Sequence, residues 1–260
     1  MPQTYSKRSF LKTSLAGTLG LGIFSGNTFA GKANKFCRPE VPAGSIFLFQ
    51  GDSITDANRV RTDIPNVMGQ GYAHAVASRI GADFPEAGFT FYNRGISGDK
   101  VYNLENRWQE EALALNPDVL SVLAGINDVG DMINDPDYPA IQPGFEASYR
   151  NILQSSRKKN PSLLILLGLP FIYPTGKRAE KKELWESYTE EKQAFIRTLA
   201  HEFDALLIDY PALFQQASKR KPIEYWIGDG VHPTLFGHEL MAREWLKVAA
   251  TRLEFLRIYL

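Results

Sequence analysis

From residue 45 onward, the chain alternates short apolar runs with longer segments whose apolar residues recur every three or four positions. Short continuous apolar runs predict buried strands, and the longer spacing predicts amphipathic helices. Strands are predicted at 45–50, 90–93, 119–123, 163–169 and 205–208. Helices are predicted at 72–80, 101–115, 145–159, 180–202, 213–217 and 234–256, with loops at 56–70 and 221–233. This alternation predicts an α/β protein, a three-layer α/β/α sandwich around a five-stranded parallel sheet whose strand order the pattern leaves open.

The first 30 residues have a different pattern. A charged segment with Lys7, Arg8 and Lys12 precedes an apolar run at 15–24 and small residues near 28–30. We interpret 1–30 as an export signal peptide, 31–44 as an N-terminal extension and 45–260 as one domain. The charged segment resembles a twin-arginine signal, except that Lys7 replaces the first arginine. The alternative is an N-terminal helix kept in the mature protein. We expect an exported, periplasmic or secreted protein without stable membrane insertion, because the apolar run is too short to span a bilayer.

Charge and cysteine content narrow the possible partners. The chain has 29 basic and 29 acidic residues, and three of the basic residues lie in the predicted signal, so 26 remain against 29. This balance argues against nucleic acid or an anionic membrane surface and favours a neutral small molecule or polymer. Cys37 is the only cysteine, so no internal disulfide can form. The oligomeric state stays open.

Polar residues follow the predicted strands at the points where these end. Ser53 follows the first strand, Gly95 the second and Asn127 the third, while Asp229 and His232 lie in the loop after the fifth strand and its short helix. The carboxyl ends of parallel strands share one edge of a sheet, and ligands bind at that edge. We therefore expect these five residues to come together.

Their chemistry suits acyl transfer. A serine hydroxyl needs a base to act as a nucleophile, and His232 can serve Ser53, with Asp229 orienting the imidazole. The Ser53 and Gly95 backbone N–H groups and the Asn127 amide can bind the developing oxyanion. This mechanism requires no metal or organic cofactor. The alternative for the Gly-Asp-Ser segment at 51–53 is that it forms only a turn.

Four segments resemble the sequence blocks of the SGNH (GDSL-type) hydrolases: GDSIT at 51–55, NRG at 93–95, GIND at 125–128 and DGVHP at 229–233. The resemblance implies a flavodoxin-like three-layer fold and ester hydrolysis through Ser53, Gly95, Asn127 and His232, with Asp229 completing the triad. Segments 69–72, 93–98 and 126–129 further resemble the bacterial acetylxylan-esterase-like branch. The expected substrate is an acylated carbohydrate or other small ester, with acetyl as the favoured acyl group.

Several other residues are candidates for substrate binding. Arg59 and Arg61 follow the serine, where they either touch a polar substrate or stay solvated. Tyr173 and Trp226 lie in loops expected to overlook the site, as do Phe171 and Tyr225. Their rings either stack on sugars or pack at the rim.

The remaining acids and histidines are interpreted as structural. Asp52, Asp99 and Asp128 look like loop-shaping acids, and Asp209 is rejected as the triad acid because no histidine follows it three residues later. The helical histidines interpreted as structural are His74, His201 and His238.

Three other functions stay open on the sequence. Within the same family, lysophospholipase or thioesterase activity is the main alternative, because fold and triad do not set the acyl group. A metal-dependent hydrolase using Asp52, Asp128, Asp229 and His232 lacks ligand pairs at characteristic spacing. A non-catalytic carbohydrate-binding protein would leave the serine, histidine and aspartate without a purpose.

Overall fold

Five parallel strands form the centre of the domain in the computed structural model, which describes residues 41–135 and 144–260. The predicted signal and most of the extension lie outside the described residues. The strands are β1 (Ile46–Gly51), β2 (Thr90–Asn93), β3 (Val119–Leu123), β4 (Leu164–Gly168) and β5 (Leu206–Ile208). All five match the predicted strands, β2 and β3 to the residue. Strand prediction succeeds most clearly for β1, β3 and β4, because these strands are almost fully buried apolar runs between polar segments.

The strand order is β2-β1-β3-β4-β5, and every neighbouring pair is parallel. The chain therefore goes from β1 to one side, then returns to place β3 on the other side of β1. Loops leaving β1 and β3 diverge at this switch point, which opens a crevice at the carboxyl edge of the sheet. Ser53 follows β1 and Asn127 follows β3, so both lie at the crevice.

Helices cover both faces of the sheet. They are α1 (Ser53–Asp56), α2 (Tyr72–Asp83), α3 (Val101–Trp108), α4 (Ile126–Asn134), α5 (Phe145–Lys159), α6 (Lys182–Glu202), α7 (Tyr210–Ser218), α8 (Ile223–Trp226) and α9 (Leu235–Ala249). Side chains of β1 alternate between two cores: Phe47 and Phe49 pack with α2 and α9, whereas Leu48 packs with α3 and α5. The predicted three-layer α/β/α architecture is confirmed.

Three short helices were not predicted, and two predicted helices end early. The missed helices are α1, α4 and α8, of which α1 and α8 have only four residues each, too few for a periodic signal. The predicted helix 101–115 changes to a π-helical turn at Gln109–Leu113. The predicted helix 234–256 ends at Ala249, and a 3₁₀ segment follows at Glu254–Tyr259. In residues 41–135 and 144–260, no helix has the length and apolar character needed to cross a membrane.

Candidate active site

Ser53, His232 and Asp229 form one chain of hydrogen bonds at the carboxyl edge of the sheet. The Ser53 Oγ atom lies 2.9 Å from His232 Nε2, and His232 Nδ1 lies 2.8 Å from Asp229 Oδ2. The histidine and aspartate side chains are each about half exposed, so solvent reaches this chain. The predicted convergence of these three residues is therefore present in the structure.

The charge of Asp229 determines which nitrogen of His232 carries a proton. Partial burial acts to raise the pKa of Asp229, but hydrogen bonds from the backbone and ring of His232 and from the Val231 N–H lower it to about 2. An ionised carboxylate can only accept hydrogen bonds, so Nδ1 carries the proton. Nε2 then has a free lone pair for the Ser53 hydroxyl, as a general base requires.

Hydrogen bonds to backbone groups hold the loop that carries Asp229 and His232. Asp229 Oδ1 accepts from the His232 N–H at 2.7 Å and the Val231 N–H at 3.0 Å. Gly230 has φ +85°, and a Cβ atom there would lie 2.1 Å from the Tyr173 carbonyl oxygen. Only glycine fits this close approach, which the Tyr173 N–H···O Gly230 hydrogen bond of 2.8 Å reinforces.

Ser53 is the first residue of α1. Its backbone N–H is one of those at a helix start that have no partner within the helix, so it can face a substrate oxyanion. Asp52 caps α1 by accepting the Ile54 N–H at 3.0 Å. The tight turn before the helix needs Gly51, because a Cβ atom there would lie 2.2 Å from the Leu123 carbonyl oxygen.

Asn127 lies in the first turn of α4. Gly125, the residue immediately before this helix, has φ +128°. Asn127 Nδ2 donates to the Asp99 carbonyl oxygen at 3.0 Å. A primary amide nitrogen has two hydrogens, so one remains for a substrate oxygen. Asp99 is held in turn by Arg107, whose Nε donates to its carboxylate at 2.9 Å.

The Gly95 N–H already has a partner in this structure. It donates to Asn93 Oδ1 at 2.9 Å, a contact that sequence reasoning missed. Asn93 also donates from Nδ2 to the carbonyl oxygens of Thr55 at 2.6 Å and Met68 at 2.9 Å. Asn93 thereby ties the Gly95 loop to α1. Two of the three predicted oxyanion donors, Ser53 N–H and the Asn127 amide, retain a hydrogen for substrate.

Comparisons with known proteins agree with this geometry. Residues 49–240 match the GDSL-like lipase/acylhydrolase family. The chain belongs to this family. The resemblance predicted from four sequence segments is thereby confirmed, and with it the SGNH hydrolase fold.

Two relatives are informative about this GDSL-like hydrolase. An acetylxylan esterase of Geobacillus stearothermophilus is 28% identical over 214 residues, which cover 80% of this chain and 95% of the relative. A structure of that organism's acetylxylan esterase Axe2 superposes with a TM-score of 0.70 at 29% identity, again over 80% and 95% of the two chains. A Parabacteroides merdae protein described as a GDSL-like lipase superposes with a TM-score of 0.74 at 34% identity, covering 82% and 98%. Family and relatives together support a carboxylic ester hydrolase.

The expected substrate contacts of this GDSL-like hydrolase need correction. Arg59 is neither solvated nor on the surface: it is 8% exposed, and its Nε donates to the Gly95 carbonyl oxygen at 2.7 Å. Trp226 is 7% exposed, and its indole N–H donates to the Ala217 carbonyl oxygen, so its ring belongs to the core. The Tyr173 hydroxyl donates to the Pro211 carbonyl oxygen at 3.2 Å, in a cleft whose lining does not include Ser53, Asp229 or His232. Each of these three side chains donates a hydrogen bond to a backbone carbonyl oxygen, so each contributes to the scaffold around the site.

Asp56 is a site residue that sequence reasoning missed. Its buried carboxylate accepts from the Ser97 N–H and hydroxyl at 2.9 Å each, and from the Arg59 N–H at 3.2 Å. It therefore joins α1 to the loop after Gly95. No motif indicated this role, because Ser97, the partner that links Asp56 to the Gly95 loop, lies 41 residues away in sequence.

Three of the residues interpreted as structural, Asp128, Asp209 and His238, have partners that hold the fold together. Asp209 caps α7 and pairs with Arg197, and Asp128 accepts the Val101 N–H. Burial raises the pKa of both Asp52 and Asp128 to about 7. His238 Nδ1 accepts the Tyr72 N–H at 3.2 Å, and burial lowers its pKa to about 4, so the ring is neutral.

Among the residues the structure describes, no group of three or more histidine, cysteine or acidic side chains is arranged to hold a metal ion.

Proposed function

We propose that the protein is a serine esterase that removes small acyl groups, acetyl above all, from carbohydrates. The observation that carries this proposal is the unbroken hydrogen-bond chain from Ser53 Oγ through His232 to Asp229 at the switch point of the sheet. This arrangement supplies a nucleophile, a base of defined tautomer and an acid that stabilises the imidazolium.

In the first half of the reaction, Ser53 Oγ attacks the ester carbonyl carbon while its proton passes to His232 Nε2. The tetrahedral intermediate then breaks its bond to the alcohol oxygen, and His232 returns the proton to the leaving sugar hydroxyl. In the second half, His232 takes a proton from water, which attacks the acyl-enzyme. The second tetrahedral intermediate then breaks its bond to Ser53 Oγ as His232 Nε2 returns the proton to Oγ, and the carboxylic acid leaves.

Negative charge on the carbonyl oxygen is stabilised by the Ser53 N–H and the second hydrogen of Asn127 Nδ2. The Gly95 N–H contributes by sharing its hydrogen between Asn93 Oδ1 and the oxyanion, as three-centre hydrogen bonds do.

The solved Axe2 structures support this assignment of roles. Three of them are described as catalytic mutants, in which a serine, a histidine or an aspartate is replaced by alanine. In Axe2 the histidine lies 179 positions after the serine and three positions after the aspartate. His232 has the same separations from Ser53 and Asp229.

The carbohydrate substrate rests on two observations. Axe2 is described as an acetyl-xylooligosaccharide esterase. In this chain, Tyr225 and Phe236 stack in parallel on the surface, with ring centroids 4.7 Å apart. The Thr234 hydroxyl, two residues after His232, donates to the Tyr225 carbonyl oxygen at 2.8 Å, which places this aromatic pair beside the triad loop. Exposed aromatic faces suit stacking on a sugar ring.

Acetate release tests the function. The purified protein is assayed on acetylated xylo-oligosaccharides, acetylated simple sugars and para-nitrophenyl esters of short and long acyl chains. We expect Ser53→Ala and His232→Ala each to lower kcat by about 10⁴-fold or more, with an unchanged melting temperature. His201→Ala, on the exposed face of α6, is the matched control. Near-normal turnover by either triad variant would refute the mechanism, and a preference for long acyl chains would refute the carbohydrate substrate.

We also propose that the protein is exported, because residues 1–30 combine a charged segment, an apolar run and a small-residue end. N-terminal sequencing of protein recovered from the periplasm or medium tests this. A mature chain that retains these residues in the cytoplasm would refute it.

A further inference from the structure

A cleft of about 700 Å³ opens beside the oxyanion donor Asn127. Asn127, Gly98 and Lys100 line one part of it, and Trp185 lines another. Arg178 also lines the cleft and donates from Nη1 to the carbonyl oxygen of the triad residue Asp229 at 3.2 Å. The cleft therefore adjoins the triad loop as well as the oxyanion donor, and a substrate that extends beyond its reacting ester would enter it.

The lining of this cleft carries an excess of positive charge. Its cations are Lys100, Lys177, Arg178 and Lys181, and its acids are Asp131 and Glu180. Lys100 pairs with Asp131 at 2.9 Å. In the part of the chain that the structure describes, the other three cations have no carboxylate partner within 4.0 Å. The whole chain has no basic excess, so this charge is a local feature.

The unpaired cations retain hydrogen-bond donors for a ligand. Arg178 uses one N–H on the Asp229 carbonyl oxygen, and its guanidinium lies 5.7 Å from the centroid of the Trp185 ring. A guanidinium has five N–H donors, so four remain. Lys181 Nζ donates to the Ile133 carbonyl oxygen at 3.3 Å and has two further hydrogens. Lys177 is exposed beside them.

We propose that this cleft binds the carboxylate of an acidic sugar, a uronate, that neighbours the sugar bearing the ester. This inference rests on the proposed esterase function and specifies its substrate class: an acylated oligosaccharide that contains uronic acid. A carboxylate matches the planar fork of Arg178, and Lys177 and Lys181 add charge-assisted hydrogen bonds. Whole-chain charge, which favours a neutral partner, does not reveal this local preference.

One matched pair of substrates tests the proposal. An acetylated glucuronoxylan oligosaccharide is compared with the same oligosaccharide after carbodiimide coupling has turned its carboxylates into neutral amides. We expect the wild-type protein to prefer the acidic form by about three- to tenfold in kcat/KM, mostly through KM. We expect the preference to shrink at high salt, which screens exposed charges.

Variants locate the preference in the cleft. In the Lys177→Gln/Lys181→Gln double variant and in Arg178→Gln, the ratio of kcat/KM between the acidic and amidated substrates should fall toward one. The matched control is Lys182→Gln, one residue beyond Lys181 and paired with Glu186, which should keep the wild-type ratio. Arg178→Lys should keep part of it, because the charge remains.

The possible failures are distinguishable. If acetate is released equally fast from both substrates, the esterase function stands and the uronate site is refuted. The site is also refuted if the preference persists in all cleft variants. If neither oligosaccharide releases acetate while para-nitrophenyl acetate is hydrolysed, the carbohydrate function itself is refuted.

Discussion

The buried guanidinium of Arg59 donates from Nε to the carbonyl oxygen of Gly95 at 2.7 Å. This contact fixes the loop that follows β2 relative to the helix that begins at Ser53. The loop packs closely against α1 at Gly95, because a Cβ atom on this residue would lie 2.4 Å from the Asp56 backbone nitrogen. Arg59 therefore positions the site without itself touching the reacting atoms.

Replacing Arg59 should lower turnover more than substrate affinity. We expect Arg59→Ala to reduce kcat on para-nitrophenyl acetate by about tenfold or more with little change in KM, because a loop misplaced by less than 1 Å loses transition-state contacts. Arg59→Lys should recover part of kcat. Arg243→Ala is the control, since that side chain on α9 is well exposed and pairs with Glu239, away from Ser53. A rise in KM alone would instead indicate that Arg59 binds substrate.

The sequence predicts the layers of the fold and the convergence of Ser53, Asp229 and His232, but not the surroundings of Arg59. Buried strands and the motifs that follow them are local signals: Ser53 follows a strand directly, and His232 lies in the loop after the last strand and its short helix. Strand order and the partners of single side chains depend on tertiary contacts. The acceptor of Arg59 lies 36 residues away, and the burial of Trp226 depends on its contact with another helix. No periodicity in the sequence encodes such contacts.

Replacing Asn127 tests whether its side-chain amide stabilises the oxyanion. Its side chain is held by the Asp99 carbonyl oxygen, so its second amide hydrogen has a defined direction. We expect Asn127→Ala to lower kcat by about 10²- to 10³-fold while KM changes little, because the interaction strengthens as charge develops in the transition state. Steady-state kinetics on para-nitrophenyl acetate measure both constants.

The control for this substitution is Asn151→Ala, because Asn151 is exposed on α5 and bonds only Glu105 in the described structure. An equal loss in both variants would mean that the effect is not specific to the oxyanion site.

Asp229 determines the tautomer of His232. In Asp229→Asn, the amide can donate to Nδ1, which moves the imidazole proton to Nε2 and leaves no lone pair for Ser53. We expect kcat to fall by about 10³- to 10⁴-fold. Because the pKa of Asp229 is about 2, its own protonation does not limit wild-type activity above about pH 4, so the comparison is made above that pH.

Asp209→Asn is the control for Asp229, since Asp209 caps α7 and its carboxylate pairs with Arg197. It should retain turnover close to the wild-type value. Loss of turnover in Asp209→Asn alone would instead identify Asp209 as the triad acid.

Asp52 makes stability depend on pH. Burial raises the pKa of its carboxyl from 3.8 to about 7, although the Ile54 N–H stabilises the charged form. Between these values the folded protein binds more protons than the unfolded chain. This residue therefore lowers the free energy of unfolding as pH rises from about 4 to about 7, and its effect is constant above that range. Asp52→Asn removes the titration but keeps an oxygen that accepts the Ile54 N–H. We expect the melting temperature of Asp52→Asn, relative to wild type, to be higher by several degrees at about pH 8 and by less at about pH 5.

Glu86→Gln, at an exposed carboxyl, should show no such trend. Parallel melting curves for wild type and Asp52→Asn at the two pH values would show that Asp52 is ionised in the folded protein throughout, contrary to this account.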